Sequence, residues 1–249
     1  MPVVIQVTQK VHEVRRQGAG NRPMTAHILD QPIRNALLTR HRNLSEGGPL
    51  ALRYPPDISP FATAVDDSAE ALAALAALIP SKGMAMLVQA GNHLLPPGVV
   101  AENSFQVVQM VAGAVTEPEK RIEVLELSDA DAPEMLSLAT LTRPGPYNSR
   151  THAFGGYIGI REGGRLAAMA GLRLKVPGYT EISAVCTHPD FRGRGYAGHL
   201  TQVVAARIAA RGETPFLHTY AANATAIRLY ERLGFALRCH LEGIVLRHA

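Results

Sequence analysis

The sequence predicts an α/β fold, a mixed and mostly antiparallel sheet flanked by helices, and three observations carry that expectation. First, apolar runs at Gly156–Arg161, Leu166–Val176 and Glu181–Thr187 are joined by Glu162-Gly163-Gly164-Arg165 and Pro177-Gly178, turn sequences that fold each strand back on the one before. Second, the apolar spacing switches to a helical period over Gly195–Ala210 and again over Asn223–Leu233, where Gly234 stops the second helix. Third, strand-like runs at 216–221, Phe235–Leu241 and Ile244–Arg247 alternate with those helices or follow them. Helices and strands in this order bury their apolar sides only by packing helices on the faces of one sheet.

The earlier part of the chain repeats the α/β character less clearly. A length of 249 residues, 47% hydrophobic and 18% charged, suits one large or two small domains. The segment Thr116-Glu117-Pro118-Glu119-Lys120-Arg121 breaks two apolar stretches with proline and charge, so a boundary is expected there, between a lobe at 1–117 and a domain at 118–249. In the lobe the pattern predicts a helix at Pro32–His41, an alanine-rich helix at Ser68–Leu78, and strands around Ala85–Gln89 and Phe105–Val111, with proline-rich loops between them. After the boundary, Ile122–Leu127 alternates as a strand would, and Asp131-Ala132-Pro133-Glu134 opens a helix running toward Leu141.

Several function classes are disfavoured. The longest membrane candidate, Ala69–Ile79, falls short of the ~18 apolar residues a spanning helix needs and is closed by Pro80. The first residues are too interrupted for the core of a signal peptide, so the expected location is the cytoplasm. Cys186 and Cys239 offer no disulfide framework and no metal spacing, and they read as small hydrophobes. No histidine pattern has metal-ligand spacing, so no metal is expected. The formal charge of +4 comes from scattered basic residues, enriched at Arg15, Arg16, Arg22, Arg34, Arg40, Arg42 and Arg53. A solvated basic face accounts for them better than a nucleic-acid groove does.

The chemistry is concentrated at 185–198. Val185, Cys186 and Thr187 end a strand, and Arg192-Gly193-Arg194-Gly195-Tyr196-Ala197-Gly198 turns it into a helix. Glycines let the backbone approach a ligand, and the first helical turn leaves about four amide N–H groups unpaired. With the helix dipole, Arg192 and Arg194 make this an anion site. The ending of a P-loop is missing, and the preceding strands form a meander instead of the βαβ unit a dinucleotide site requires. Further on, Asn223 and Tyr230 stand seven residues apart on a helix and therefore share a face.

These two segments resemble the GNAT superfamily of N-acetyltransferases. Its Arg/Gln-x-x-Gly-x-Gly/Ala motif is matched by Arg192–Ala197, and its Asn…Leu-Tyr-x-x-x-Gly-Phe motif by Asn223 through Leu229-Tyr230 to Gly234-Phe235, over roughly residues 120–249. The resemblance implies a splayed sheet and acetyl-CoA as cosubstrate. The turn at 192–198 would hold its pyrophosphate, and Val185, Cys186 and Thr187 would pair with its pantetheine arm. The Val185 N–H would face the oxyanion, and Asn223 and Tyr230 would border the cofactor. The acceptor would be an amine, acetylated without a covalent enzyme intermediate, with the lobe at 1–117, a degenerate copy of the same fold, shaping its site. Homodimerisation is left open.

An amine with a pKa of ~10.4 must lose a proton before it attacks, and a thiolate of ~8.5 must leave. Tyr230 suits the acid. Glu181, directly or through water, is expected as the base, because strand alternation places it on the face of Ser183, Val185 and Thr187; His218 on the next strand and water itself are the competitors. A non-catalytic acyl-CoA sensor or partner-binding module is the alternative function.

Overall fold

A computed structural model describes residues 27–115, 118 and 122–249. Arg15, Arg16, Arg22 and the opening apolar stretch lie outside the described residues, and of the expected boundary at 116–121 only Pro118 lies within them.

Eight strands make the main sheet: β4 (Ala85–Gln89), β5 (Val99–Ala112), β6 (Leu125–Glu126), β7 (Ile158–Glu162), β8 (Arg165–Val176), β9 (Tyr179–Thr187), β10 (Thr214–Tyr220) and β11 (Phe235–His248). Their spatial order is β4-β11-β5-β10-β9-β8-β7-β6. All neighbouring pairs are antiparallel except β9 and β10, which run parallel because α4 (Tyr196–Ala209) crosses over between them. Three further short strands, β1 (Glu46–Gly47), β2 (Ala51–Arg53) and β3 (Ala62–Ala64), form a separate sheet. The remaining helices are α1 (Pro32–Leu38), α2 (Ala69–Leu78), α3 (Ala132–Thr142) and α5 (Ala224–Arg232).

The meander β7–β8–β9 and the helices α2, α4 and α5 stand where the pattern places them. Ser68 caps α2 by accepting from Ala71 N, and Asn223 caps α5 by accepting from Ala226 N at 3.1 Å. Other expectations change. The alternating run 122–127 yields only the two residues of β6. The two C-terminal strands are one, β11: Glu242 and Gly243, which the pattern puts between them, pair in register with Gln106 and Phe105, and register shifts between Leu237 and Cys239 and between Val245 and Leu246 leave the ladder with β5 continuous. Cys186 is buried as expected, whereas Cys239 is half-buried.

The division between 117 and 118 does not separate two sheets. β5, from the N-terminal side, lies between β10 and β11, from the C-terminal side, and is hydrogen-bonded to both. Adjacent residues of β10 show how both faces are covered. Leu217 joins Val108, Ile182 and Leu200 beneath α4, while Phe216 joins Ile33, Leu174 and Phe61 beneath α1. Leu200 and Ile208 of α4 are fully buried, each worth about 1.5–3 kcal/mol against an exposed side chain.

Candidate active site

The site begins where two parallel strands part. β9 and β10 pair from Tyr179↔Thr214 to Ile182↔Leu217 and no further. On its other side β9 pairs with β8 at Ser183↔Gly171 and again at Cys186↔Met169, so Ala184 and Val185 face Ala170 alone. This bulge puts Ala184 at φ 54, in the left-handed region that L-residues avoid at a cost of roughly 1–2 kcal/mol. It turns β9 away from β10 and opens a cleft of about 630 Å³ between them. The only other non-glycine residue with positive φ among those described, Arg143 at φ 50, also lines this cleft.

Val185, Cys186 and Thr187 line the cleft along the freed edge of β9. The Thr187 hydroxyl is buried there without a hydrogen-bond partner, and burial pushes the Cys186 thiol up to about 11, which keeps it protonated and unreactive. At the mouth, Gly193 and Gly195 adopt φ 79 and 82, and a Cβ at either would meet no atom within 4 Å. The backbone is bare on that side. Gly195 precedes α4, and the first hydrogen bond of the helix returns from His199 N to Gly195 O, leaving the amides of Tyr196, Ala197 and Gly198 without helical acceptors. Arg192 and Arg194 project at this mouth; Arg194 stacks 5.3 Å over the Phe191 ring and reaches Glu162 at 3.5 Å, while the Tyr196 hydroxyl donates to Glu162. Asn223 and Tyr230 complete the wall. Tyr230 packs edge-on against Phe235, and burial pushes its hydroxyl up to about 12.

Glu181 stands elsewhere than expected. Its side chain has no exposed surface and lies outside the lining of the cleft. Arg173 grips it bidentately, Nε to Oε2 at 2.9 Å and Nη2 to Oε1 at 2.6 Å, and Leu174 N donates to Oε2 at 3.2 Å. His218 Nδ1 donates to Oε1 at 2.7 Å. Burial by itself would raise the carboxyl pKa, but the Arg173 charge, His218 and their hydrogen bonds outweigh it and hold it far below the usual carboxylate range. The alternation argument fails at Ala184: a left-handed residue breaks the two-residue period, so Glu181 does not share a face with Val185 and Thr187.

His218 does line the cleft, but its second nitrogen is taken. Gln109 on β5 receives a hydrogen bond from Arg238 Nη1 to its Oε1 at 2.8 Å and donates from Nε2 to Leu29 O at 2.9 Å, which fixes the orientation of the amide. Its Nε2 therefore also donates to His218 Nε2, 2.9 Å away, and the imidazole proton sits on Nδ1 facing Glu181. Arg238 in turn donates to Asp30. This chain of polar groups was missed at the level of sequence. Gln109, Arg173 and Arg238 come from three strands, and no spacing connects them.

The comparisons agree with this architecture. A structure from Novosphingobium aromaticivorans assigned to the GNAT acetyltransferase family is 40% identical, with a TM-score of 0.84 over 90% of this chain and 100% of that one. The chain belongs to the GNAT family of acetyltransferases. A family profile described as FR47-like protein matches residues 157–242 of this GNAT protein, the stretch from β7 into β11. The fold recurs in a GCN5-related N-acetyltransferase from Kribbella flavida at 19% identity, with a TM-score of 0.60 over 88% of this chain and 95% of that one. Comparison with curated proteins found no match. Among the described residues, no helix is long and apolar enough to cross a membrane, and no cluster of potential metal ligands occurs.

Proposed function

We propose that this GNAT protein moves an acetyl group from acetyl-CoA directly to an amine. The observation that carries the reading is the fork of β9 and β10, which opens an unpaired strand edge onto an arginine- and glycine-flanked helix start. Gly193, Arg194, Gly195 and the amides of Tyr196, Ala197 and Gly198 accommodate a pyrophosphate, with Arg192 and the dipole of α4 adding charge. The freed edge Val185-Cys186-Thr187 pairs with the pantetheine amides, and Thr187 offers its orphan hydroxyl. Asn223 spends its side chain on the cap of α5, which fixes the wall on which Tyr230 stands.

In the transfer the amine nitrogen forms a bond to the acetyl carbon and the bond to sulfur breaks. Val185 N–H, freed by the bulge, faces the carbonyl oxygen as it gains charge. Tyr230, still protonated throughout the neutral range, gives the departing sulfur its proton. The proton of the amine leaves through water, because Glu181 has both oxygens engaged and His218 has both nitrogens engaged. Glu181 and His218 act as positioning groups: they tie β8 to β9 and β9 to β10 at the base of the fork. No chemistry here calls for a metal.

Mixing the protein with acetyl-CoA and a panel of amines, and following free thiol, tests the reading. Amine-dependent thiol release supports it. Tight binding of acetyl-CoA without turnover over a broad panel would favour an acyl-CoA sensor instead.

A further inference from the structure

The lining of the cleft carries five arginines, Arg143, Arg173, Arg192, Arg194 and Arg232, and neither aspartate nor glutamate. An acceptor bearing several positive charges would enter such a cleft against repulsion, with no carboxylate to receive it. Two of the five cations are already matched, Arg173 by Glu181 and Arg194 by Glu162. Arg192 and Arg232 have no ion-pair partner among the described residues either, but Arg192 belongs to the turn assigned to the pyrophosphate, and Arg232 to the last turn of α5, the helix that carries Tyr230. Arg143 remains. Its side chain has no ion-pair partner among the described residues, and its backbone holds the left-handed position that closes α3, where glycine is the usual occupant.

Arg143 leads into Pro144-Gly145-Pro146, and this segment runs beside Arg173: a methyl on Gly145 would lie 4.0 Å from Arg173 Nη1. Arg173 itself lies 5.1 Å over the ring of Phe61. There the cleft passes from arginine to an apolar end walled by Ile33, Phe61, Met86, Val88, Phe105 and Val107, all from the N-terminal side of the chain. The charged side chain placed against that end, Arg173 over Phe61, is already matched by Glu181. A cleft that combines an arginine without an ion-pair partner and an apolar end fits a molecule with an anionic group and an apolar body.

On the acetyltransferase reading, we infer that the acceptor is an amine that also bears a carboxylate and an apolar side group, the chemistry of an apolar α-amino acid, with Arg143 as the residue that selects the carboxylate. The reaction balances: the amine loses one proton and gains the acetyl group at nitrogen, the thioester C–S bond breaks, and the sulfur takes up a proton. The carboxylate is untouched.

The test is a matched set of acceptors sharing one side chain, leucine, leucinamide and isopentylamine, with a linear diamine added as the cationic extreme. Thiol release from acetyl-CoA is followed for each with wild type and Arg143→Ala. A charge-assisted contact is worth about 1.5–3 kcal/mol, so kcat/KM per neutral amine for leucine should exceed that for leucinamide by about 10- to 150-fold. In Arg143→Ala the two should become equal within a few-fold, with acetyl-CoA affinity unchanged by calorimetry, and Arg143→Lys should restore part of the preference. Equal or faster turnover of isopentylamine or the diamine would overturn the inference while leaving amine acetylation standing. A preference for leucine that survives Arg143→Ala would also overturn it, since the selecting group would then lie elsewhere. Absence of acetyl-CoA binding would instead remove the transferase reading, and this inference with it.

Discussion

The mouth of the cleft and its base are held together in opposite ways. At the mouth, residues 192–198 are consecutive, exposed from Arg192 to Gly195, and shaped by two left-handed glycines with open space beside them. At the base, Glu181, Arg173, His218 and Gln109 come from four strands, are buried or nearly so, and satisfy one another. A surface that must receive a ligand leaves its donors unspent, whereas a scaffold that must not move uses all of its own. The contrast warns against choosing a base by residue type: Glu181, on the strand that leads into the turn at 192–198, has both carboxylate oxygens engaged within the scaffold.

The sharpest way to break the comparison is to remove Glu181. If it is a structural anchor, Glu181→Ala leaves Arg173 buried without its counter-charge and should cost about 3–5 kcal/mol, read as a lower midpoint in urea unfolding. The sign with pH follows from the depressed carboxyl. Its stabilisation is complete above the unfolded value of about 4.3 and is lost only as pH falls through the lower folded value, so unfolding between pH 5 and 8 should show no trend that Glu181→Gln removes. Catalysis gives a second reading of the same residue. A base would make the Glu181→Gln deficit shrink toward pH 9–10, as the amine deprotonates unaided; an anchor predicts a deficit that is constant with pH.

Tyr230→Phe should lower turnover by about 10²–10⁴-fold while acetyl-CoA affinity, measured by calorimetry, stays nearly constant. With the hydroxyl at about 12, wild type should show no alkaline loss through pH 10 from this group. Gly195→Asp should weaken acetyl-CoA binding by about 10²-fold, since it forces a side chain into φ 82 and sets a negative charge where the pyrophosphate approaches. Unchanged affinity would take the turn at 192–198 out of the site. The smallest effect should come from the exposed pair Arg165–Asp190, 3.1 Å apart and more than half exposed on both sides: Asp190→Ala should shift stability by no more than about 1 kcal/mol.

The fold was legible where information is local. Gly163-Gly164 and Pro177-Gly178 marked the meander, and Ser68 and Asn223 marked helix starts that they do cap. The turn at 192–198 into α4 was legible for the same reason, since its residues are contiguous. What could not be read is long-range. Nothing in 99–112 says that β5 will enter the sheet between β10 and β11, and nothing near Glu181 announces Gln109 or Arg173 as neighbours. The bulge at Ala184 was equally silent, because alanine in a left-handed conformation is held there by the surrounding strands and not by its own preference.

The place of β5 also bears on how the chain is built. During synthesis this fourteen-residue strand emerges well before β10 and β11, the two strands that will flank it, so it waits with both edges open while more than a hundred further residues are added. Long-range pairing of this kind delays folding and exposes strand edges to other chains. For the same reason the segment 118–249, produced alone, would leave β10 and β11 facing an empty slot, an invitation for a neighbouring molecule to lend a strand.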